Sequence, residues 1–256
     1  MDIKKYISHG VPVSWVHVQT EQDSTKLGRP CGQYITLETG PLDKLTSFEG
    51  VCSCLAEQLR LFLEPCFGEI LCVCGLGNRD MPPDTLGPEV ARRFQPKMFE
   101  AFVSRPSFEK VVMICPGVSG HTNLSSEEMI ASIASSIDAA CVLVVDASSC
   151  RDIERLCSSI SLTNNGMRTY WSTADIRQST VGVPVITIGV PTTIRASALS
   201  GAESSDQEPL LTTLHISDVI QAASFIVACA ITQVAFPELD YESCKQYIGF
   251  FLNNII

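Results

Sequence analysis

Four short, mostly apolar runs, Ile70–Gly75, Val111–Cys115, Cys141–Asp146 and Val183–Ile188, constrain this chain more than any other feature. Runs of that length suit strands better than helices, and an apolar run with no polar alternation has to be covered on both faces. Helix signals lie between them. Pro88 suits a first helical turn, and Ser125-Ser-Glu-Glu128 has the spacing of a capping box. Strands alternating with helices predict an α/β fold, with a mostly parallel central sheet flanked by helices on both faces in three layers. Ahead of this block, Val11–Val18 and Gln33–Glu38 predict an N-terminal strand pair, with turn formers at Gly28, Pro30 and Gly32 between them. Leu45–Leu63 has helical periodicity, and two helices, near 216–235 and 240–254, close the chain.

Composition narrows the function. With 45% hydrophobic and 18% charged residues among 256, the chain can bury a full core, and it is read as one domain over 1–256 without internal repeats. A net charge of −10, with basic residues paired only at Lys4–Lys5 and Arg92–Arg93, argues against direct nucleic-acid binding. The start, Met1–Tyr6, lacks the apolar run of a signal peptide. Ile216–Phe236 is interrupted by Ser217, Asp218, Gln221, Ser224, Thr232 and Gln233, so it predicts a buried helix and no membrane span. A cytoplasmic location follows as the expectation. The twelve cysteines are then reduced thiols; Cys52/Cys54 and Cys72/Cys74 are spaced too closely for ordinary zinc sites and read as small core hydrophobes. No cofactor is expected.

Sites in open parallel sheets form where the loops leave the carboxyl ends of strands. Four segments qualify: Gly75–Pro88, Cys115–Thr122, Asp146–Ser149 and Gly189–Thr193. The first carries Asp84 just ahead of a helix, where it can serve as a cap or as a working acid. In the third, Asp146 is placed at the end of an apolar strand, where a carboxylate needs a partner or a task. Two acids at one site can divide labour, one activating water and the other protonating a leaving group. The same oxygens can instead hold a metal. Asn78 and the amides of the turn that includes Gly77 are weaker candidates for stabilising an oxyanion.

In this order the segments resemble the spore germination protease family, which degrades small acid-soluble spore proteins as spores germinate. Gly10–Val18 and Gly32–Glu38 look like its N-terminal strands. Gly75-Leu-Gly-Asn78 with Pro83-Asp-Thr-Leu-Gly-Pro88, then Pro116–Thr122, Val145-Asp-Ala147 and Gly182–Thr192, look like four successive signatures. The resemblance implies a phosphorylase/hydrolase-like α/β fold and an aspartic-type endopeptidase whose essential aspartates fall on Asp84 and Asp146. It also implies a protein substrate, the spore core as compartment, and assembly into a homo-oligomer. Gly120 and His121 fall in the second signature as binding residues. A more distant likeness to hydrogenase maturation peptidases implies the metal-assisted alternative, with Asp84, Asp146 and His121 as ligands. The chain departs from the family at Met167–Arg177, where a glycine-rich loop is replaced by a shorter one containing Tyr170 and Trp171, and near Ala198–Leu211. These departures leave a second expectation: a non-catalytic relative that binds or assembles proteins in sporulation.

Overall fold

The computed structural model describes residues 1–118, 122–168, 174–200 and 208–253. Eleven strands are described: β1 (Asp2–Ser8), β2 (Val11–Val18), β3 (Gly32–Glu38), β4 (Ile70–Gly75), β5 (Lys110–Ile114), β6 (Cys141–Cys150), β7 (Ser159–Thr163), β8 (Met167–Arg168), β9 (Asp175–Ile176), β10 (Val185–Arg195) and β11 (Leu210–Leu211). Nine form one sheet in the order β1-β2-β3-β7-β10-β6-β4-β5, with β11 beside β10; β8 and β9 pair separately. The parallel block is β10-β6-β4-β5, and everything on the β1 side of β10 is antiparallel. The α/β architecture and the N-terminal strand pair therefore match the sequence reading.

Alternation along β4 and β6 builds two cores. Leu71, Val73, Cys141, Leu143 and Val145 face the helices Glu49–Leu63, Leu86–Arg93 and Ile216–Ala235. Cys72, Cys74, Val142 and Val144 face the opposite way, towards Ile130 and Ala134 of the helix Ser126–Ser136. Burial on both faces is why these strands carry no polar alternation. Ser125 caps the latter helix as its sequence predicts: its hydroxyl accepts from the Glu128 amide at 3.1 Å, and the Glu128 carboxylate accepts from the Ser125 amide at 2.9 Å.

The Ile216–Ala235 helix is long and apolar enough to cross a membrane, yet most of it is buried inside the protein against the sheet and its neighbouring helices. Arg93, itself buried, ties the Leu86–Arg93 helix to it by donating from Nε to Ser224 Oγ at 2.8 Å and from a terminal nitrogen to Gln221 Oε1 at 2.5 Å. All twelve cysteines are free thiols.

Several features differ from the sequence reading, the first being β1, an unforeseen strand at the edge of the sheet beside β2. The stretch between the first strands includes a helix, Glu21–Leu27, started by Thr20, whose hydroxyl accepts from the Asp23 amide, and stopped by Gly28 at φ +66°. β7 is an additional antiparallel strand that joins the parallel block to the N-terminal strands. β6 and β10 also outlast their apolar runs, to Cys150 and Arg195, because they pair with each other beyond Asp146 and Gly189.

One backbone contact fixes the Leu86–Arg93 helix against the end of β4. A Cβ on Gly75 would overlap the Gly87 backbone, and a Cβ on Gly87 would overlap the backbone of Leu76. Gly87→Ala is expected to destabilise the fold by about 1–3 kcal/mol, since the opposing atoms are main chain and cannot swing aside. Gly249→Ala, in the Tyr241–Asn253 helix with open space around its Cβ, is expected to stabilise by roughly 0.5–1 kcal/mol. Urea midpoints at unchanged slope measure both.

Candidate active site

β4 stops at Gly75, level with Val145 of β6, while β6 runs on. The Leu76 amide makes one last bond to the Val145 carbonyl, at 2.9 Å, before the chain turns away. From β4 the chain crosses to β5 on one side; from β6 it continues to β7 and β10 on the other. The crevice between the two strand ends is thus a topological switch point, where open α/β sheets bind ligands. Asp84 approaches it on the loop after β4, and Asp146 belongs to β6.

The loop is folded by its own residues. Asn78 Oδ1 accepts from the Asp80 amide at 2.9 Å, the Asn78 carbonyl from Met81 at 3.2 Å, and the Met81 carbonyl from Asp84 at 2.8 Å. Gly77 has φ +130°, and a Cβ there would overlap the Asp84 carbonyl, so the chain passes itself only through glycine. The result brings Asp84 back over the start of the loop, where its Oδ2 accepts from the Asn78 amide at 2.9 Å. Asp84 therefore does not cap the following helix: Thr85 occupies the cap position and no side chain bonds there. Nor is the Asn78 amide, a suggested oxyanion donor, uncommitted; it is already bonded to Asp84.

Asp146 is 8% exposed and continues the face of Val142 and Val144. It lies within β6 and not at its end, as the sequence had suggested. Its register partner on β10 is Gly189, so no side chain stands beside it on that strand. The turn Pro82–Asp84 packs against β6, which brings the two acids into electrostatic contact. Burial pushes the Asp146 carboxyl well above the usual carboxylate range, and the charge of Asp84 pushes it further, against the opposing Ala147 amide. Burial also raises Asp84, but the Asn78 amide stabilises its ionised form. Both carboxyls are therefore raised, and Asp146 the further, because it is the more deeply buried and faces the charge of Asp84.

Cys74 and Cys115 lie on the same side. Burial pushes the Cys74 thiol well up, with Cys72, Cys115 and Asp146 adding to the effect. Gly120 and His121 lie outside the described residues, as do Tyr170 and Trp171. Asp84 and Asp146 can supply two oxygen ligands to a metal; among the described residues no third acid, histidine or cysteine completes such a set. The sequence reading missed the roles of Gly87 and Gly189. Each glycine sits inside a motif, but only the packed structure shows that Gly87 makes room for the backbone of Gly75 and Leu76, and Gly189 for the Ser148 and Ser161 side chains.

The fold and site define an α/β protein with a coupled carboxyl pair at the switch point of its parallel block. Residues 1–206 match the germination protease family, and the chain belongs to it. It is similar to the germination protease of Clostridium tetani, 29% identical over 210 residues that cover 78% of this chain and 65% of that protein. The germination protease of Priestia megaterium is 28% identical over 215 residues, 77% of this chain and 57% of that one. A Bacillus licheniformis relative of the same name is 28% identical over 278 aligned residues, reaching 96% of this chain and 72% of the relative. The chain thus spans about two thirds of the length of the relatives it matches.

The buried pair has a consequence for stability. A carboxyl whose pKa is higher in the folded state than in the unfolded chain takes up protons on folding. It favours the fold at low pH, and that contribution is lost as pH rises from about 4, the ordinary aspartate range, through the folded pKa. Asp146→Asn is therefore expected to be more stable than the parent at pH 7, with the gap closing as pH falls towards 4. Urea unfolding across that range tests it; a gap independent of pH would count against a protonated, buried Asp146.

Proposed function

We propose that this chain is an aspartic-type endopeptidase that cleaves small acid-soluble spore proteins, with Asp84 as general base and Asp146 as general acid. The coupled carboxyl pair carries this reading: one acid keeps its proton through burial and its neighbour's charge, and the other is ionised and held by a backbone amide. Environments that push two acids apart in this way assign the base and the acid. Asp84 takes a proton from a water as its oxygen attacks the scissile carbonyl. Asp146 gives its proton to the departing amine nitrogen as the carbon–nitrogen bond breaks, and the pair is reset by returning the proton from Asp84 to Asp146 through solvent.

The substrate class follows from the family resemblance, and the names of the relatives support proteolysis as the reaction. The resemblance would place its action in the cytoplasm of the spore, a reducing compartment in which twelve cysteines would stay as thiols.

Cleavage of spore-protein peptides, followed by mass spectrometry, tests the assignment. Asp84→Asn and Asp146→Asn are each expected to lower kcat/KM by about 10²–10⁴. The parent is expected to show a bell-shaped pH profile, rising as Asp84 ionises and falling as Asp146 loses its proton. Equal rates for the parent and both variants would sink the mechanism.

A further inference from the structure

A groove of about 530 Å3 opens beside β5, the strand at one edge of the large sheet. Neither aspartate lines it. It is nevertheless continuous with their loop, because Arg79, Thr85 and Pro88 form one wall and Met113, Ile114 and Cys115 form another. Among the described residues β5 has β4 on one side only, so its outer edge offers main-chain N–H and C=O groups to an added strand. Its apolar residues Val112, Met113 and Ile114 are only half-buried, unlike their fully buried partners Cys72, Val73 and Cys74 on β4.

Charge says what kind of strand would suit it. Three cations, Arg79, Arg92 and Lys97, line the groove against a single acid, Glu89. Arg92 is neutralised by Glu89 at 2.7 Å, but exposed Arg79 and Lys97 make no ion pair among the described residues. In a chain of net charge −10 this is a local reversal of sign, and such a patch attracts an acidic ligand that the rest of the surface repels.

We infer that the groove is the substrate-recognition site, receiving an extended acidic segment as an added strand along β5 and leading the chain past Arg79 to the aspartates. This rests on the peptidase reading for its purpose, but not for its test. Strand addition supplies affinity through main-chain bonds, and flanking side chains supply specificity. Adjacent strands lie about 4.8 Å apart, so a strand outside β5 runs about 10 Å from β4, near enough for its continuation to reach the Asp84 loop.

Binding measured separately from turnover decides the matter. The full chain carrying Asp84→Asn is titrated against a fluorescein-labelled peptide of alternating glutamate and threonine, with anisotropy as readout. A peptide with glutamine in place of glutamate is expected to bind at least tenfold more weakly. So is the original peptide to a variant that also carries Arg79→Glu and Lys97→Glu, both exposed positions whose reversal should leave the urea midpoint unchanged. N-methylation at every glutamate or at every threonine is expected to lose at least tenfold in one frame or both. Equal affinity for the glutamate and glutamine peptides, no effect of charge reversal, or no loss in either methylated frame overturns the inference. A dimer dissociated by charge reversal, with no peptide bound, assigns the groove to a second copy and overturns it too. Unaltered KM in the reversed variant with intact aspartates would remove the groove while leaving the peptidase reading. Peptide bound through the groove with nothing cleaved would do the reverse.

Discussion

The site depends on main chain lying directly on main chain. Gly75, Gly77 and Gly87 let the end of β4, the loop after it and the first turn of the following helix touch without side chains between them. A residue with a Cβ at any of these places would hold the layers apart, and Asp84 would no longer return to the amide of Asn78. Close packing makes such a contact nearly all-or-none, because interiors have few spare voids to absorb a misplaced methyl. The aspartate is thus positioned by glycines nine and seven residues before it and three after it, and not by a dedicated partner side chain.

Burial then sets the chemistry. An acid within a strand covered on both faces loses its hydration, and in a medium of low polarity the neutral form prevails. Asp146 lies level with Gly189 on the neighbouring strand, while the half-buried Asp84 sits where β4 has withdrawn from β6. Asymmetry between the two acids therefore arises from the different lengths of two adjacent strands. Solvating both equally would erase it.

The parts of this arrangement that sequence revealed are those governed by side-chain burial. Ile70–Gly75 and Cys141–Val145 are legible as strands because their residues must be apolar on both faces. The Ser125 cap and the long apolar helix were legible for similar local reasons. What escaped depends on pairing. Ala147–Cys150 and Gly189–Arg195 are strand because β6 and β10 bond to each other, whatever their side chains prefer. Ser159–Thr163 does alternate, with Ile160 and Leu162 buried, but a five-residue signal within a polar region is easily passed over. The Glu21–Leu27 helix buries nothing and is held by its ends, so no periodicity betrays it. The two aspartates stood out as acids in apolar company, whereas the bonds that distinguish them needed the folded loop.

The thiols give the molecule an inbuilt gauge of its own integrity. Nine of the twelve cysteines are buried, Cys115 and Cys150 are half-buried, and Cys31 is exposed. Burial pushes the thiols of Cys72 and Cys157 up to about 11, so even a reagent that reached them would find little thiolate to attack. The folded chain therefore shows an alkylating agent very few of its sulfurs, while an unfolded chain shows all of them. Counting labels by mass would separate folded from opened molecules one by one, and the positions labelled first would map which layer of the sheet lets go.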